Sequence, residues 1–175
     1  MHEIEALESL ITRAIPPELR EFDEDRTLKL AYLTNIEGDF DKALSLYDSI
    51  IKKDKSNARA LNGKAVILDK LGEYNKAVEE FDKAIKYSDN ALIPLVNKGL
   101  TLKKQKKEDE AQQCFREAIE IEPENEDIDQ MINKAIAFYK LAKFQEAIIL
   151  YNKILQLDED NPRALVNLGN VYEYS

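Results

Sequence analysis

Residues 72–84 read GEYNKAVEEFDKA, and the chain writes the same pattern three more times. The copies are GDFDKALSLYDSI at 38–50, KEDEAQQCFREA at 107–118 and KFQEAIILYNKI at 143–154. Their aligned alanines are Ala43, Ala77, Ala111 and Ala147, spaced 34, 34 and 36 residues apart. Four residues after each stands an aromatic (Tyr47, Phe81, Phe115, Tyr151), and twelve before each a small residue (Ala31, Ala65, Gly99, Ala135). A self-similar period in the range of about 20–50 residues marks an array of stacked supersecondary units.

Each unit reads as two helices. Residues 60–71 and 76–87 both place apolar side chains at helical spacing. Gly38 and Gly72 fall between the two halves, where a left-handed residue ends a helix. The next two units put Lys106 and Ala142 there, at an expected cost of about 1 kcal/mol. Pro94, Pro123 and Pro162 fall at junctions between units, where helices start or stop. The small residues sit where helix axes approach closely, and the aromatics fill the space between neighbouring pairs. Ile51, Ile85, Ile119 and Leu155 continue the buried stripe of each second helix.

These columns resemble the tetratricopeptide repeat, whose pattern runs W-x2-L-G-x2-Y, then A-x3-F, then P. Leu165, Leu168, Gly169 and Tyr172 match its first helix, and Ala111, Phe115, Ala118 and Pro123 its second. The tryptophan position holds Thr27, Leu61, Leu95, Met131 and Leu165 instead. The resemblance implies an all-α, right-handed α-solenoid of stacked antiparallel helix pairs. Its full units span 24–57, 58–91, 92–125 and 128–161. Glu126 and Asp127 form a two-residue insertion that predicts irregular stacking between the third and fourth. Residues 1–23 read as an N-terminal cap or half-repeat, with Ala6 and Leu10 in the alanine and aromatic columns and Pro16 and Pro17 ending it. Residues 162–175 read as the first helix of a fifth unit or a C-terminal cap. Gly169 leaves room there for a further helix, so the chain is expected to be a fragment of a longer protein.

Composition narrows the function. The formal charge is −9, which disfavours nucleic acid as a partner, since phosphate binding relies on clustered Lys and Arg. No apolar run approaches the roughly 18–20 residues of a membrane span. The acidic N-terminus is unlike a signal peptide. A lone cysteine, Cys114, fits a reducing compartment, and the expected location is cytoplasmic. With a single histidine, His2, there is no multi-histidine metal set, and Cys114 beside Phe115 reads as a packed thiol. The acids Glu122, Glu124, Glu126, Asp127 and Asp129 lack the central glycine of a calcium loop. No catalytic residue, cofactor or metal is expected.

By the resemblance, positions 2, 5, 6, 9, 12 and 13 of each unit face a concave groove. Position 6 is Asn97, Asn133 and Asn167, with Asn62 one residue out of register. A side-chain amide both donates and accepts, so such a row suits an extended peptide backbone. Positions 5 and 9 supply an apolar strip that includes Tyr32. Positions 12 and 13 supply Lys70, Lys103, Lys104 and Lys140, with Tyr139 beside them. The implied partner is an apolar protein segment carrying carboxylates. The carboxylate clamp of chaperone-binding members is not implied. Its slots hold Asn62, Val66, Asn97, Asp129 and Asn133, of which Asn97 alone matches. Two other expectations stand beside the scaffold: a targeting or regulatory segment of a larger enzyme, and self-association through the last helix.

Overall fold

One residue closes each helix pair. A helix ending in a left-handed residue can satisfy its last carbonyls with the two following amides. In the computed structural model, which describes residues 24–174, Gly38 and Gly72 adopt φ of 86° and 79°. Gly38 and Asp39 donate to the carbonyls of Asn35 and Thr34, and Gly72 and Glu73 to those of Asp69 and Leu68, at 2.9–3.2 Å. Lys106 and Ala142 occupy the same position with φ of 62° and 56°. Their turns keep the same two bonds, to Lys103 and Leu102 and to Tyr139 and Phe138. The stop therefore survives without glycine, at the price of a backbone region that a Cβ disfavours.

The helices are α1 (Glu24–Glu37), α2 (Phe40–Lys53), α3 (Ala58–Lys70), α4 (Tyr74–Tyr87), α5 (Leu92–Lys104), α6 (Glu108–Ile119), α7 (Ile128–Lys140), α8 (Phe144–Leu157) and α9 (Pro162–Tyr174). No strand occurs among the described residues. Side-chain caps start several of them: Asp39, Asn57, Asp127 and Asn161 accept from the amide three residues on. Pro94 lies in the first turn of α5, where its missing N–H costs no helix bond. The N-terminal cap or half-repeat expected over residues 1–23, with His2, lies outside the described residues.

Each hairpin packs on the next. The odd-numbered helices touch in succession, α1 to α3 to α5 to α7 to α9, whereas the described even-numbered helices touch only odd-numbered ones. The odd helices therefore form one row and the even helices stand apart behind them. The core follows the sequence columns: Ala31, Ala65, Ala135 and Ala43, Ala77, Ala111, Ala147 are all 0% exposed. The aromatics Tyr47, Phe81, Phe115 and Tyr151 are likewise buried. At Gly99 a Cβ would lie 2.7 Å from the Phe115 ring, so glycine there is a packing requirement.

Lysines on the odd helices latch the preceding even helix. Lys64 and Lys98 each reach an aspartate sixteen residues back, Asp48 and Asp82, at 2.6 Å. The third equivalent, Lys134, finds Arg116 at the matching place and turns instead to Glu122, at 2.8 Å. Glu122 lies in the irregular junction, where Asn125 and Glu126 both adopt positive φ and form a short 3-10 turn. The two-residue insertion is thus absorbed by consecutive left-handed residues, and Asp127 then caps α7. Gln130 ties the loop down by accepting from the Glu124 amide and from Asn90.

Candidate functional site

The row of odd helices encloses a concave cavity of about 760 Å³, open to solvent, with contributions from α1, α3, α5, α7 and α9. Tyr32, Asn62, Asn97 and Asn133 all line it. Asn97 donates to Asn62 across adjacent helices at 3.1 Å, linking two amides into one row. The register slip of Asn62 has a packing cause. Position 6 of that helix is Gly63, where a Cβ would meet the Tyr47 ring at 2.3 Å. Tyr47 enters the cavity wall through that gap, so the amide moves back one residue. Burial, helped by nearby Tyr32, raises the Tyr47 phenol above its usual range.

Asn133 stands differently. It is 7% exposed and donates to the carbonyl of Asp129 in its own helix at 2.7 Å. Its amide is committed to local structure, though its side chain still borders the cavity. Asn167 lies on α9 outside the cavity lining and forms no side-chain hydrogen bond with a described residue. The apolar strip divides by depth. Leu28, Val96 and Ile132 are buried between helices. Tyr32 is exposed and Val66, Leu100 and Ile136 are half-buried, so along α1 to α7 position 9 offers more apolar surface than position 5, whereas on α9 the position-5 residue Val166 is exposed.

Two charge pairs border the cavity that the sequence reading did not single out. Arg59 contacts Asp25 at 3.3 Å, and Arg163 contacts Asp129, with Ile93 between the pairs. All four are position-2 residues, and each pair is 34 residues apart. Opposite charges at that spacing were the available signal. These pairs are largely exposed, so they contribute little to stability and can open to a ligand at small cost.

The predicted lysines lie at the C-terminal ends of α3, α5 and α7, outside the cavity lining. Most are already engaged. Lys70 donates to Asn35 at 2.8 Å and lies over the Phe40 ring. Lys104 pairs with Asp69 at 2.5 Å and lies over Tyr74. Lys103 pairs with Glu108 at 3.1 Å. Lys140 makes no hydrogen bond or ion pair among the described residues and sits 5.1 Å from the Tyr139 ring centre. Tyr139 itself packs against Phe144, with ring centres 6.0 Å apart.

Other chemistry is sparse. Cys114 is buried, and burial raises its thiol above the usual range, which suppresses the nucleophilic thiolate. No group of three metal-ligating side chains occurs among the described residues. No helix there is long and apolar enough to cross a membrane.

Comparison with known proteins identifies the architecture. The family model described as Intraflagellar transport protein 56 matches residues 27–173. No curated protein sequence matches the chain. Among solved structures, YrrB, a TPR protein, is 22% identical with a TM-score of 0.55, covering 93% of this chain and 82% of its own. PilF of Pseudomonas aeruginosa is 22% identical with a TM-score of 0.62, over 86% of this chain and 68% of its own. MamA of Desulfovibrio magneticus RS-1 is 20% identical with a TM-score of 0.51, over 86% and 84%. At such identities these likenesses speak for the fold. With the matched columns, the stacked hairpins and a family match over most of its length, this chain is a tetratricopeptide-repeat protein belonging to the Intraflagellar transport protein 56 family.

Proposed function

We propose that the protein is an interaction scaffold that holds an extended segment of another protein along its concave side, without chemical turnover. The supporting observation is the cavity of about 760 Å³ in which Asn62 and Asn97 form a linked amide row beside exposed Tyr32. Amides recognise a peptide backbone, and the half-buried position-9 residues offer places for apolar anchors. The similar YrrB structure is described as having an unusual peptide-binding site, in keeping with this use of the fold. The partner is a segment with apolar side chains and at least one carboxylate.

The test uses calorimetry with a partner segment obtained by affinity capture on the intact chain. Asn62→Ala combined with Asn97→Ala should weaken binding at least tenfold while leaving helical circular dichroism unchanged. Unchanged affinity would remove the amide row from the binding surface.

A second reading, self-association through α9, has its own observation. Leu165, Val166 and Tyr172 are 49%, 65% and 58% exposed. Gly169 has nothing within 4 Å of a built Cβ, unlike Gly99. Light scattering that returns a monomer mass across a wide concentration range would eliminate it.

A further inference from the structure

The ends of successive odd helices are joined by a repeating cross-link. A position-13 lysine reaches back to the position-12 side chain of the preceding odd helix, 35 residues earlier. Lys70 donates to Asn35, and Lys104 donates to Asp69. The next pair in the series is Lys103 and Lys140, 37 residues apart because the Glu126–Asp127 insertion lies between them. Here the acceptor's place is taken by a second lysine, so two lysines occupy the positions where the earlier cross-links hold a donor and an acceptor.

Glu108 answers only part of this charge. It pairs with Lys103 and accepts from Gln112 as well. Lys140, half-buried, is left without an oxygen acceptor among the described residues. The electrostatics agree with the geometry: burial, and then the nearness of Lys103, lower the Lys140 ammonium's pKa below its usual range, with Glu108 opposing. Two lysines against one glutamate leave a local charge of +1, which one carboxylate neutralises and a phosphate dianion overshoots. The earlier lysines of the same column do not compete, because Lys104 and Lys70 already hold acceptors.

We propose that the Lys103–Lys140 pair is the docking point for a carboxylate side chain of the bound partner, which completes this cross-link as Asp69 completes the one before it. This deepens the scaffold reading and rests on it. The basic edge expected from the sequence thereby contracts to a single site, and the partner's acid is placed at the ends of α5 and α7, with its backbone running along the amide row.

The test is a titration of the intact chain with hexaglutamate at low salt, read by side-chain NMR of the lysines. Lys103 and Lys140 should move while Lys70 and Lys104 stay in place. Lys140→Gln should weaken binding at least threefold. Lys103→Asn, which supplies an internal acceptor of the kind Asn35 provides, should do the same with helicity retained. Equal shifts at all four lysines, or affinity within twofold in both variants, would overturn the assignment. Inorganic phosphate at matched ionic strength should displace the peptide poorly; displacement tenfold stronger than by acetate would overturn the carboxylate in favour of phosphate. The calorimetric test of Asn62 and Asn97 is independent of this one. If the amide variants weaken the partner and the lysine variants do not, only the acid site falls. If the reverse holds, the amide row falls.

Discussion

Replacing Ala142 by glycine should stabilise this protein, against the usual expectation for an Ala→Gly change. Ala142 has φ of 56°, its side chain is exposed, and its amide donates to the carbonyl of Tyr139 at 3.0 Å. The substitution leaves that bond intact and removes no buried contact. It relieves a left-handed conformation that costs an L-residue roughly 1–2 kcal/mol. Against this stands the extra chain entropy of glycine when unfolded, roughly 0.5–1 kcal/mol. The net expectation is a gain of about 0.5–1 kcal/mol. Lys106→Gly, with φ of 62°, should give a similar gain. The two turns share no hydrogen-bond partner, so the double variant should be close to additive. A gain of 1 kcal/mol corresponds to a rise in Tm of roughly 2–4 °C for a chain of this size. The assay is urea denaturation followed by circular dichroism, with the midpoint rising and the m-value unchanged. Gly72→Ala, at φ of 79°, is the reciprocal control and should lose stability. A lower midpoint for both glycine variants would refute the left-handed assignment of these turns.

Three further outcomes follow from burial and packing. Gly63→Ala should cost roughly 1–3 kcal/mol, because its Cβ would sit 2.3 Å from the Tyr47 ring. Tyr47→Leu should recover part of that loss in a double-mutant cycle; no coupling would mean that the two do not touch. Ala77→Asp puts an unpaired charge at a fully buried helix crossing and should cost on the order of 3–5 kcal/mol; a variant that melts like the parent would contradict the repeat alignment. Stability should also fall at alkaline pH. Burial holds the phenols of Tyr47 and Tyr151 protonated in the folded chain, while the unfolded chain ionises them near pH 10. Above that pH the unfolded state binds fewer protons, so the slope of stability against pH is negative. A pH scan of the urea midpoint in which Tyr151→Phe leaves the alkaline fall unchanged would remove Tyr151 as a contributor.

Period and volume made the fold legible. Alanine at 43, 77, 111 and 147 and an aromatic four residues later can coincide in four copies only if each unit buries the same two sites, and all eight are buried. The helix stops were legible too, since Lys106 and Ala142 fall where Gly38 and Gly72 do and take the same backbone region. Less could be read of the concave surface, because its character depends on which side chains meet across a helix gap. Asn97 and Asn133 share one column, yet the first bonds across to Asn62 and the second bonds back to its own helix. The lysines read as a basic edge, but the residues that engage Lys70 and Lys104 lie 35 positions upstream. The position-2 charge pairs were in reach by the same logic, since Asp25 and Arg59, like Asp129 and Arg163, are one unit apart. Pairing one unit back, at offsets of 34 and 35, is the rule that extends a column alignment to a contact map in this chain.

The most direct measurement is amide chemical-shift mapping of the captured partner segment titrated onto the intact, isotopically labelled chain. If the concave row is the binding surface, the largest shifts should fall on Tyr32, Asn62, Val66 and Asn97, with Lys103 and Lys140 at the acidic end of the segment. Shifts confined to the even-numbered helices, or to Leu165, Val166 and Tyr172 on α9, would contradict it.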